Sequence, residues 1–142
     1  MTTERARRLA ESILENETLT EDLDDSIATP VIQWAVACAE YIGQSAFARD
    51  DGAFEIEVMP RMRALRRMVR HVGQWLMRVR TADEVALAAD FELIKSQAIT
   101  VYGVGYRPPN DEAVKRLLDS ARFQSPSLNL QLLRQLIDAG RR

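Results

Sequence analysis

Residues 60–80, PRMRALRRMVRHVGQWLMRVR, divide into two faces at a helical period. Met62, Leu65, Met68, Val69, Val72, Trp75, Leu76 and Val79 recur at steps of three and four, so they share one side. Arg63, Arg66, Arg67, Arg70 and Arg78 fall opposite, with Gln74 among them. This spacing predicts an amphipathic helix. At about 1.5 Å per residue it is roughly 30 Å long, enough to cross a small domain.

Outward from that helix, the rest of the chain reads as further helices. Residues 3–15 carry Ala6, Leu9, Ala10 and Ile13 on one stripe. An acidic segment follows, in which Thr18 and Glu21 have capping-box spacing, and a short helix is expected over 19–28. Thr29-Pro30 reads as a cap followed by proline at the first helical position. The helix expected over 30–49 is apolar nearly all round, which suits the middle of a bundle. Phe54, Val58, Met62 and Leu65 keep helical spacing across Pro60, so a helix entering at Ala53 and kinked at Pro60 is expected.

Thr81 and Glu84 form a second capping-box pattern before a helix over 82–102, with Leu87, Phe91, Ile94, Ala98 and Val101 as its inner line. Gly103 is a stop signal. Asn110 caps a helix over 111–122, and Ser125-Pro126 opens a last helix that runs to Gly140. That helix has more leucines than one narrow stripe needs, so it is expected to close the core or to make a homo-oligomer contact. The expected fold is an all-α, single-domain bundle of five to six helices. Helices 30–49 and 60–80 are its antiparallel central pair.

Composition narrows the function classes. With 142 residues, 46% hydrophobic and 28% charged, the chain can bury a core without staples. A formal net charge of −2 lacks the basic excess of a dedicated nucleic-acid binder. Cys38 is the only cysteine, so no internal disulfide can form. The longest apolar region, 31–42, is too short for a bilayer, and the first residues have no signal-peptide pattern. A cytoplasmic location is expected, with membrane binding disfavoured.

No catalytic constellation appears, and enzyme activity is not expected. His71 has no orienting carboxylate or nucleophile at a motif spacing. One His and one Cys supply no zinc set, and the paired Glu-x-x-His motifs of a diiron bundle are absent, so neither metal nor cofactor is expected. Tyr102, Tyr106 and Arg107 flank a glycine-rich turn and could line a pocket. Asn129, Gln131, Arg134 and Gln135 are base-reading residue types on the last helix, without the usual tight turn before it.

The arginine row of Arg63, Arg66, Arg67, Arg70 and Arg78 is the leading candidate for a partner-binding face. The chain is therefore expected to be a non-enzymatic interaction or regulatory protein that binds a protein partner, including itself as a homodimer. The alternative is a nucleic-acid-binding protein that uses the arginine face of residues 61–80.

Overall fold

The computed structural model describes Arg8, residues 23–46 and residues 58–141. The fold is all-α: among the described residues there are five helices and no strand. They are α1 (Asp25–Ala46), α2 (Met59–Arg78), α3 (Glu84–Tyr102), α4 (Asp111–Ala121) and α5 (Pro126–Asp138). The helices expected over 3–15 and entering at Ala53 lie outside the described residues, Arg8 and Val58 apart.

The tightest pair is α2 with α3, rather than the expected α1 with α2. Residues 79–83 form a short turn, so the two helices must lie antiparallel and side by side. Arg61 near the start of α2 reaches the last turn of α3, and Arg78 at its end reaches Asp90. Trp75 and Phe91 interlock between them edge to face, with ring centroids 6.4 Å apart. Helix α1 packs on α2, α3 and α5, while α4 bridges α3 and α5. Trp34, Ile42, Met62, Met68, Trp75, Phe91, Leu133 and Ile137 fill the centre of one contiguous core.

Local signals place most helix ends. Asn110 Oδ1 accepts from the Ala113 N–H at 2.8 Å, and Ser125 Oγ accepts from the Leu128 N–H at 3.2 Å. Gly103 ends α3 at φ +77°, a left-handed backbone that a side chain rarely adopts, and its N–H returns to the Ile99 carbonyl. Pro60 sits in the first turn of α2 with Val58 before it in helical backbone, and the kink expected at Pro60 depends on residues 53–57, which lie outside the described residues.

Two expected starts move. Thr29-Pro30 does not begin a helix, because α1 starts at Asp25 and runs through Pro30. Asp24 caps it, its Oδ1 accepting from the Ser26 N–H at 2.9 Å. Ile27 and Ala28 are buried, and this burial offsets the hydrogen bond that Pro30 removes one turn later. Thr81 does not cap α3 either. Asp83 Oδ1 accepts from the Ala86 N–H at 2.8 Å, while Thr81 completes a turn on the Arg78 carbonyl.

Candidate functional site

The arginines of α2 divide by role. Arg63, Arg67 and Arg70 are exposed along one side, with Gln74 beside them, whereas Arg66 is half-buried with its Nε enclosed. Arg78 is tied to the fold: one of its guanidinium nitrogens lies 3.1 Å from each oxygen of Asp90, a carboxylate almost wholly buried on α3. Arg61 is tied as well. Its Nε donates to the Val101 carbonyl at 2.9 Å and its Nη2 to that of Tyr102 at 3.3 Å, answering carbonyls that the end of α3 leaves open. The sequence row of five is thus three outward guanidiniums, one half-buried and one in a salt bridge.

Tyr102, Tyr106 and Arg107 come together where α3 meets α5. The two rings stack with centroids 5.0 Å apart. The Tyr102 hydroxyl donates to Asp138, which also accepts from Trp34 Nε1 at 3.0 Å and pairs with Arg134 at 3.4 Å. The Tyr106 hydroxyl donates to the Ile137 carbonyl at 2.8 Å. The Arg107 N–H donates to the Gly140 carbonyl at 2.9 Å, and the backbone passes so close that a Cβ on Gly140 would meet the Arg107 oxygen at 1.7 Å.

Both tyrosine hydroxyls therefore fasten α5. A cavity of about 490 Å³ opens beside this cluster, between Pro30 on α1 and Leu130, Arg134 and Asp138 on α5. The carboxylate at its edge already holds three donors.

Cys38 is buried with its sulfur 3.3 Å from the Tyr102 hydroxyl, not against His71. Burial pushes its thiol up to about 12, which leaves no thiolate for nucleophilic chemistry near neutrality. Burial also raises the phenol of Tyr102, helped by Cys38 and Asp138, and that of Tyr106. His71 is half-buried, and its Nδ1 has no hydrogen-bond partner among the described residues. Asn129 is fully buried, its Nδ2 donating to the Ala121 carbonyl at 2.9 Å, so it is sealed away from any base edge.

The leucine surplus of α5 goes inward. Leu130, Leu133 and Ile137 are buried, Leu132 and Leu136 pack against the core, and Leu128 is the more open one. Ile32, Met77, Phe123 and Leu128 are exposed singly on other elements, whereas α3 exposes several apolar residues along one side. Val85, Ala89 and Leu93 follow one another at four-residue spacing, and Ser96, Ile99 and Thr100 continue the same side of the helix. Val85 is 80% exposed, and Leu93 and Ile99 are each 46% exposed.

The single charge in this arc, Glu92, pairs with Lys95 of its own helix at 3.3 Å. Val104, in the turn after Gly103, is fully exposed as well. Sequence reasoning found the inner line of α3 and passed over this outer one. The repeat at 85, 89 and 93 was the signal that could have found it.

No group of three or more His, Cys, Asp or Glu side chains gathers as a metal site among the described residues. No helix among them is long and apolar enough to cross a membrane. Comparison with protein-family models, curated proteins and solved structures found no match to this chain.

Proposed function

We propose that this chain is a non-enzymatic interaction protein, and that its contact surface is the outer face of α3, which binds the same face of a second copy. The observation that supports this reading is that face itself: Val85, Ala89, Leu93, Ser96, Ile99 and Thr100 are uncharged, and Glu92 is the one charge in the arc they form. A helix that shows apolar residues to water along its length marks a contact surface. A second copy suits it for two reasons. A nearly neutral face meets itself across a two-fold axis without like-charge repulsion, and small Ala89 and Ser96 between larger side chains let two copies of α3 approach closely.

Sedimentation equilibrium over a concentration series tests it. Wild type is expected to dimerise, and Leu93→Glu with Ile99→Glu to stay monomeric at unchanged helicity. A monomeric wild type, or a variant that still dimerises, would remove the reading.

A second reading rests on Arg63, Arg67 and Arg70, which stand outward on α2 beside Gln74. Such a row could track a phosphate backbone. It predicts nucleic-acid affinity that falls steeply with salt and weakens alike for all sequences when Arg63 and Arg67 become alanine. Salt-independent affinity would exclude it.

A further inference from the structure

The side of α3 that turns toward α4 borders a groove of about 370 Å³. Its floor is apolar, made by Ala88 of α3 and Val114 and Leu118 of α4, with the exposed Val85 at its edge. Its walls run from residue 84 to 92 on α3 and from 111 to 119 on α4, about 12 Å at a helical rise. A groove of two helical turns, open along its length, fits an elongated occupant better than a compact one.

The rim decides the occupant's charge. Glu84, Glu92, Asp111 and Asp119 face Lys115 as the one cation among the lining residues. Lys95 stands outside the lining and spans Glu92 and Asp111, at 3.3 and 3.8 Å. Lys115 lies 3.9 Å from Asp119, both well exposed. The Lys115–Asp119 pair is exposed and weak, so an incoming cation exchanges with it readily, whereas the largely buried Lys95 keeps Glu92 and Asp111. An acidic segment or a phosphate backbone would meet carboxylates here, whereas a cationic one would pair with Glu84 and Asp119.

We infer that this groove binds a short amphipathic helix of a partner protein, with aliphatic side chains on the floor and arginine or lysine on both flanks. The chemistry is that of a helix laid in a groove, anchored every three or four residues. The site adjoins the self-association face and shares Val85 and Glu92 with it, while Leu93 and Ile99 lie outside the groove.

The test uses the full chain carrying Leu93→Glu, so that self-association does not enter. The probe is a labelled synthetic peptide with leucines on one helical stripe and arginines on both flanks, followed by fluorescence anisotropy. Saturable binding that weakens with salt is expected, along with none for a peptide whose leucines are replaced by serine. Val85→Glu separates the apolar anchor from bulk charge. It adds an acid at a mostly exposed position near the start of α3, where the fold tolerates it. Binding is expected to fall about tenfold or more even though the rim becomes more acidic.

Glu84→Gln with Asp119→Asn is expected to weaken binding a few-fold and flatten its salt dependence. Val85→Glu binding as tightly as the parent would overturn the inference, as would equal binding of a peptide with glutamates for arginines. A change of solution mass in the dimer-competent chain from Glu84→Gln with Asp119→Asn, without any change in peptide affinity, would name a second copy as the occupant and overturn it too.

Discussion

Helices α2 and α3 are nearly equal in length and lie against each other, yet they meet water in opposite ways. The outer side of α2 is cationic, with Arg63, Arg67 and Arg70, and its inner side is apolar. Helix α3 is apolar on both sides, with Phe91 and Ile94 inward and Leu93 and Ile99 outward. Hydration accounts for a cationic outer side, since exposed guanidiniums stay hydrated at little cost. It does not explain the second arrangement, because folding gains nothing from the roughly half of Leu93 and Ile99 that stays in water. The difference teaches where to look for a partner: the row of charge is at home in solvent, and the nearly uncharged face is not.

The strongest way to break the comparison is to remove what the two helices share. Trp75 is fully buried against Phe91, and Trp75→Ala is expected to cost about 3–5 kcal/mol in urea unfolding. A loss below 1 kcal/mol would mean that the pair is not the centre of the fold.

Next comes the bond between them. Arg78→Ala leaves Asp90 nearly buried without its cation, and an expected loss of about 1–2 kcal/mol allows for the half-exposed guanidinium. Arg78→Ala combined with Asp90→Asn should recover part of it, since the amide buries no charge.

Alkaline titration sharpens the contrast at the C-terminal end of α3. Cys38, Tyr102 and Tyr106 all ionise at higher pH folded than unfolded. The unfolded chain therefore loses these protons first. Their contribution to stability is whole below pH about 8.5 and is lost progressively as pH rises through the unfolded thiol and phenol values of about 8.5 and 10. Denaturation midpoints should fall across that range, and less so in Cys38→Ala. A flat profile above pH 9 would contradict the buried setting of these groups.

The smallest effect is expected from the charged row. Arg63→Ala with Arg67→Ala should change stability by no more than about 0.5 kcal/mol. It should also leave dimerisation intact, while Leu93→Glu abolishes it.

Much of this architecture is legible in the sequence, because its signals are local. Asn110, Ser125-Pro126 and Gly103 mark helix ends through bonds that close within four residues. The α2 stripe is legible because its two faces differ so strongly in polarity. Thr29-Pro30 misleads because the same dipeptide fits a first turn or a second one. The choice is made by the burial of Ile27 and Ala28 against distant residues. Thr81 and Asp83 are both competent caps, and only the turn on Arg78 separates them.

The candidate surface was harder to see. Helix α3 carries two apolar lines, and a search for one buried stripe is satisfied by the first. Nor does spacing show that Arg78 has a nearly buried carboxylate for a partner or that Asn129 is enclosed.

The carboxylate of Asp138 has a kinetic consequence. It joins Trp34 to the end of the chain across 104 residues, whereas Trp75 and Phe91 meet across a single short turn. Chain closure slows as the loop to be closed lengthens, so the α2–α3 hairpin can gather early, and the Trp34–Asp138 latch belongs among the last contacts to form. The two tryptophans then act as clocks for different stages of refolding. In stopped-flow fluorescence, a chain with Trp34→Phe reports the hairpin alone, and one with Trp75→Phe reports the closing of the ring.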